Sequence, residues 1–350
     1  MAWEKLGSAS VGGTAIANNS WKEIARTTLG SASDTITVDS IPARDNLMII
    51  PYVYDEGSNQ VYGQGRFNND SGSNYANRWS RNGGSDTTNI NQTEMITYFA
   101  GAAFGEFGIF EMANIAGQEK LLIDHGVAAD ATGAGTAPKR HEGVHKWANT
   151  SNQVTRFDYL NGGAGTFGTG SEVVVLGYDN DEADSGTNFW QELADVELSS
   201  SGDLIDSGTF TAKKYLMIEA VGYRANDSII PALRVGNETL DTGNNYARRQ
   251  SVNGGSDVTV TSQSSIATTS GAGYLTKDIY FIVNKSDKEK LVINHGYVTG
   301  SGASTAGDRQ EIVGKWANTS AQINRIGYLN VGGGSSDFGA GSYIKVYGAD

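Results

Sequence analysis

Lys146-Trp147-Ala148-Asn149-Thr150-Ser151 returns as Lys315-Trp316-Ala317-Asn318-Thr319-Ser320, 169 residues further along a chain of 350. Tyr159-Leu160-Asn161 returns as Tyr328-Leu329-Asn330 in the same register, and Trp21 is matched by Trp190. Asn82-Gly83-Gly84-Ser85-Asp86 returns two residues out of that register, as Asn253-Gly254-Gly255-Ser256-Asp257. Glu119-Lys120-Leu121 and His125-Gly126 return one residue out, as Glu289-Lys290-Leu291 and His295-Gly296. A repeat with a period of about 170 residues fixes the domain count before any strand is assigned, and its small drift places short insertions in loops. The first copy runs over 21–179 and the second over 190–350, with an acidic linker at 180–189 between them and an N-terminal arm at 1–20. Trp3-Glu4-Lys5-Leu6 imitates the copy openings Trp21-Lys22-Glu23-Ile24 and Trp190-Gln191-Glu192-Leu193. Trp3 and Leu6 are therefore candidate docking anchors for the arm, each worth about 1.5–3 kcal/mol if fully buried.

Short alternating apolar runs bounded by Gly, Asn, Ser and Asp fill each copy, and no sustained 3.6-residue stripe interrupts them. The expected strands of the first copy are 35–41, 47–54, 64–67, 76–80, 96–99, 107–112, 120–127, 142–147, 154–160 and 172–177. Those of the second include 204–210, 215–222, 278–283, 290–297 and 343–347. Asn82-Gly83-Gly84 supplies the residues that tolerate positive φ in a tight hairpin. Some eight to ten strands in about 160 residues make two tandem antiparallel β-sandwich domains, with a jelly roll as the preferred topology. A domain of that size buries roughly 70% of its unfolded surface and needs no staple.

Composition narrows the function. The chain has no cysteine, which removes disulfide frameworks and thiolate chemistry and fits folding in a reducing cytoplasm. Its 39 acidic and 26 basic residues leave a formal charge of −13, which repels a phosphate backbone, so no nucleic-acid partner is expected. The N-terminus has no export-signal pattern and no window is apolar enough to span a bilayer, so no membrane insertion is expected.

His141-Glu142-Gly143-Val144-His145 matches the His-Glu-x-x-His signature of zinc peptidases. That chemistry needs a helix to bring both imidazoles to one ion, whereas Gly143, Val144 and the aligned Gln310-Glu311-Ile312-Val313-Gly314 all point to a strand. On a strand the two histidines share a face about 13 Å apart, with Glu142 on the other face, so one metal is not expected to bridge them. His125 and His295 read as buried, hydrogen-bonded histidines. Trp147 and Trp316 read as core, and Trp79, replaced by Gln250 in the second copy, as a surface ligand contact. Asp179-Asn180-Asp181-Glu182-Ala183-Asp184 lacks the glycine and distal Glu of a calcium loop and reads as a solvated linker. The Asn-x-Ser/Thr triplets follow from composition. Catalytic, cofactor-binding and metal sites are all expected to be absent.

The phrases Phe67-Asn68-Asn69-Asp70-Ser71-Gly72-Ser73-Asn74-Tyr75-Ala76, Asn82-Gly83-Gly84, Gly133-Ala134-Gly135-Thr136-Ala137-Pro138 and Lys146-Trp147-Ala148-Asn149-Thr150-Ser151 resemble virion structural proteins of marine, cyanophage-like tailed bacteriophages. The second copy keeps them more loosely, as in Gly243-Asn244-Asn245-Tyr246-Ala247. The resemblance implies a virion component and transfers no catalytic or binding residue. The expectation is a non-enzymatic structural protein on the exterior of a phage capsid or tail, assembled in the host bacterial cytoplasm. It would be a homo-oligomer contacting other virion subunits through sandwich faces and the arm. The alternative is a glycan-binding module of a receptor-binding protein or adhesin, gripping a host-surface glycan. An enzyme such as a depolymerase would instead need paired carboxylates converging in a groove.

Overall fold

The computed structural model describes residues 10–11, 14–15, 21–55, 57, 59–97, 104–179, 188–225, 229–267, 274–299, 302–304, 306–332 and 337–350. Trp3 and Leu6 lie outside the described residues, as do positions 180–187 of the linker. Every named element is a β-strand, and every strand pairing is antiparallel where its register is resolved. In the arm, Ser10–Val11 pairs with Thr14–Ala15.

The first copy forms an eight-stranded sheet and a four-stranded sheet. From edge to edge the larger runs Lys22–Thr28, Glu172–Tyr178, Asn46–Val53, Glu106–Ala113, Lys120–Ala128, Lys139–Trp147, Tyr75–Arg81 and Thr87–Gln92. The smaller runs Thr35–Val38, Phe157–Asn161, Gly63–Phe67 and Met95–Ile96. Ile36, Val38, Phe67, Met95, Phe157 and Tyr159 of the small sheet share one core with Leu47, Ile49, Phe110, Trp147 and Val175 of the large one. The chain passes repeatedly from one sheet to the other, as in a jelly-roll-like sandwich. The second copy repeats the larger sheet strand for strand, from Gln191–Glu197 at one edge to Val258–Gln263 at the other. Its own core unites Ile205, Val235, Ile326 and Tyr328 with Leu216, Tyr280, Trp316 and Val346. The protein is thus two tandem antiparallel β-sandwich domains. As compact units, Arg81–Ser85 and Gly126–Arg140 group with Trp190–Asp350.

Each expected strand has an observed counterpart, though the pairing around 154–160 begins only at Phe157, and 98–99 of the run 96–99 lie outside the described residues. Two strands of the first copy escape sequence reading, Lys22–Thr28 and Thr87–Gln92. Both are sheet edges, and neither buries a residue fully, so neither shows apolar alternation. The hairpin at Asn82-Gly83 is as expected: φ is 52° and 68°, and Gly84 N donates to Arg81 O at 3.0 Å. Asn253 and Gly254 match it at 54° and 73°.

The shared phrases meet in space. Trp147, in the core, donates its indole N–H to Asp70 Oδ2 at 2.7 Å, and Asp70 also accepts from Gly72 N at 2.9 Å and Asn74 Nδ2 at 2.9 Å. Trp316 does the same to Asp241 at 2.7 Å, with Gly243 N and Asn245 Nδ2 at 2.8 Å. Partial burial pushes the Asp70 pKa up, but the hydrogen bonds from Trp147, Asn74 and Gly72 outweigh it and hold the carboxyl below its usual range. That stabilisation is present at neutral pH and is lost as pH falls through the depressed value. Asp70→Ala and Asp241→Ala each leave a buried indole N–H without its acceptor, and each should lower the unfolding free energy by about 1–3 kcal/mol in urea titrations. A change within about 0.5 kcal/mol would assign the bond no structural weight.

Candidate functional site

On the strand Lys139–Trp147, His141, Gly143, His145 and Trp147 point into the sandwich, whereas Val144 is exposed. The next strand, Lys120–Ala128, turns Asp124 into the same interior, where it is fully buried. Gly143 has no side chain, so the carboxylate lies over it: a Cβ there would stand 2.2 Å from Asp124 Oδ1 and 2.6 Å from His145 Nε2. The two imidazoles lean across that gap. His145 Nε2 is 2.7 Å from Asp124 Oδ1 and His141 Nε2 is 3.1 Å from Oδ2. One ligand atom from each of the three residues lies within 4.8 Å of the others.

This corrects one sequence expectation. The segment is a strand, as argued, but rise along the backbone separates only the Cα atoms. The rings span the gap because the residue between them is glycine, and the partner that draws them together comes from the neighbouring strand. Glu142 stays out of the cluster, on the face shared with Val144.

A second layer fixes the chemistry. Asn77 Nδ2 donates to Glu94 O at 3.2 Å, which turns its Oδ1 toward His145 Nδ1, 2.7 Å away. That oxygen accepts, so Nδ1 carries a proton, and Nε2 faces the carboxylate. Two lone pairs cannot share 2.7 Å of dry interior. The contact is satisfied by a proton or a metal ion between the two atoms. Burial acts to raise the Asp124 pKa, but the charges and hydrogen bonds of His141 and His145 outweigh it and hold the carboxylate ionised far below its usual range. Trp79 is half-buried rather than a free platform: its ring stacks on His141 with centroids 5.7 Å apart, and its Nε1 donates to Asn89 Oδ1 at 3.1 Å. His125 is half-buried, on the opposite side of its strand from Asp124.

The second copy builds something else in the same place. Asn294, Gln310 and Gly314 stand where Asp124, His141 and His145 stand, and Arg248 where Asn77 stands. A buried carboxylate there, Asp278, accepts from Tyr328 OH at 2.6 Å, Thr276 Oγ1 at 3.0 Å and Asn294 Nδ2 at 3.2 Å. Burial raises the Asp278 pKa despite those donors. Burial likewise lowers that of His295, which lies outside this network. One acid is balanced by imidazoles, the other by neutral donors.

The outer face of the first large sheet is the other candidate site. A shallow groove of about 650 Å³ there is lined by Ile90, Leu121, Ile123 and Val144, with Trp21, Arg78, Glu111 and Lys146 among its polar and aromatic margin. The four aliphatic side chains are 64%, 56%, 52% and 49% exposed.

No family model and no curated protein matches the sequence. Among solved structures, the chain is similar to domains LG4-5 of the mouse laminin alpha1 chain, at 10% identity and a TM-score of 0.19, over 95% of this chain and 92% of that one. It is also similar to the LG1-3 region of a laminin alpha2 chain, at 7% identity and a TM-score of 0.19, spanning 93% of this chain and 62% of that one. Likeness at this level bears on neither ligand nor partner.

Gly143→Ala tests the packing of the cluster directly. The added methyl must displace Asp124 and His145, and should cost about 1–3 kcal/mol of stability, read as a lower urea midpoint. An unchanged midpoint would mean that the carboxylate does not sit over residue 143.

Proposed function

We propose that this protein is a non-enzymatic structural component of a phage virion, on the exterior of the capsid or tail, that assembles through the outward faces of its sheets. The resemblance of its repeated phrases to phage virion proteins supports the setting. The observation that carries the assembly is the exposed aliphatic set Ile90, Leu121, Ile123 and Val144, gathered in one groove on a sheet whose other face is already a complete core. Contiguous apolar surface of this kind, rimmed by charge, marks an association site.

A second copy of this chain is the occupant we assign to it. The matching positions of the second copy, Leu291, Ile293 and Val313, are buried at 2% exposure each. Beside them, within the second compact unit, Ala134 O accepts from Ser262 N at 2.9 Å, and Ala131 O from Lys315 Nζ. The same sheet face is therefore one that this chain's own residues cover in the second unit. Arg78 and Lys146 line the groove of the first unit together with Glu111, so its charges can complement those of an identical surface.

Size-exclusion chromatography with light scattering on the full chain tests this reading. The wild type should form a defined oligomer, and the double variant Leu121→Asp, Ile123→Asp should be monomeric with an unchanged far-ultraviolet circular dichroism spectrum. A wild type that stays monomeric at all concentrations would overturn the assembly reading. If that monomer were retained on host-type polysaccharide, the groove would be a glycan site instead.

A further inference from the structure

We infer that Asp124, His141 and His145 hold one divalent transition-metal ion of the zinc class inside the first sandwich, as a structural centre joining two neighbouring strands. The donor set is two imidazole nitrogens and a carboxylate, a combination suited to borderline ions and poorly suited to calcium or magnesium, which take oxygen ligands. The two Nε2 atoms lie 2.7 and 3.1 Å from the oxygens of one carboxylate, so three side chains each offer a ligand atom in a closed interior. Ligands about 2.1 Å from a common ion at tetrahedral angles lie roughly 3.4 Å apart. The contacts of 2.7 and 3.1 Å fall short of that spacing by less than an ångström.

The surroundings are those of a metal centre. Asn77 accepts from His145 Nδ1 and so leaves Nε2 as the donor atom, the orienting role that second-layer groups play around ligating histidines. Trp79 packs on His141 and shields it from water. Asp124 and the two histidines are at most 3% exposed, so no coordination position opens to a substrate and the centre is closed. Glu142 lies on the other face of its strand, away from the cluster, so the peptidase role suggested by the motif does not arise.

The second copy provides an internal control. Its Asn294, Gln310 and Gly314 remove the carboxylate and both imidazoles at once, so the chain should bind one ion and not two.

The test uses the untagged full chain, dialysed first against EDTA and then against zinc. Elemental analysis should find one zinc per chain, and cobalt in its place should give the visible absorption of a low-symmetry nitrogen–oxygen site. The thermal midpoint should fall on stripping and recover with zinc, because an ion bound only by the folded state stabilises it. Asp124→Asn and His145→Gln should each reduce the bound zinc to below a tenth per chain. If either variant fails to fold, the cobalt spectrum and the zinc-dependent midpoint of the wild type still decide. Substoichiometric zinc, no cobalt absorption and a midpoint indifferent to zinc would overturn the proposal and leave the cluster as a proton-balanced buried ion pair. Oligomer formation by light scattering is read separately, so failure here leaves the assembly reading intact.

Discussion

In each sandwich a core tryptophan donates its one N–H to a loop aspartate, Trp147 to Asp70 and Trp316 to Asp241, and the phrases that recur along the chain are arranged around that bond. The aspartate also caps its own turn and fixes the following asparagine, which places Tyr75 or Tyr246 against the core, its hydroxyl held by the backbone at Phe67 or Val235. From the other side a buried lysine reaches the same region. Lys120 Nζ donates to Asn149 O at 3.1 Å, and Lys290 Nζ to Asn318 O at 2.8 Å. Burial depresses both lysine pKa values, that of Lys290 to about 8, and carbonyl acceptors replace the lost water. Three segments distant in sequence are tied by charge-assisted bonds in a low-dielectric interior, where leaving any one unmet is costly.

Where the copies agree, then, the residues build the sandwich. Where they differ together, each copy has its own chemistry. Asp124, His141, His145, Asn77 and Trp79 form one contiguous cluster, and all five are exchanged in the second copy, for Asn294, Gln310, Gly314, Arg248 and Gln250. The outer sheet face follows the same division, open at Leu121, Ile123 and Val144 but buried at Leu291, Ile293 and Val313. The two copies share one frame and diverge together at its interior and on its outer face.

Much of the frame was legible in the sequence because a repeat compares a chain with itself. The strands of the core carry apolar alternation, and the glycine hairpin carries its φ requirement at Asn82-Gly83. The edge strands Lys22–Thr28 and Thr87–Gln92 were not legible, since half-exposed edges carry no such alternation. The His141–His145 cluster was misread because spacing along one strand says nothing about a partner from the next. Two signals for it were present: the glycine midway between two histidines on one face, and the joint loss of Asp124, His141 and His145 in the second copy. Trp79 was singled out by its replacement with Gln250, but its place beside His141 depends on pairing across strands that periodicity does not specify.

If another copy of the chain covers the outer face of the first large sheet, the aliphatic side chains there lose solvent as the oligomer forms. Hydroxyl-radical footprinting across a concentration series reads side-chain exposure there directly. Oxidation of Ile90, Leu121, Ile123 and Val144 should fall as the oligomer forms, while that of the comparably exposed Val258 and Val331 of the second copy stays level. Reactivity of the four that is independent of concentration, or a fall shared equally by all six, would contradict it.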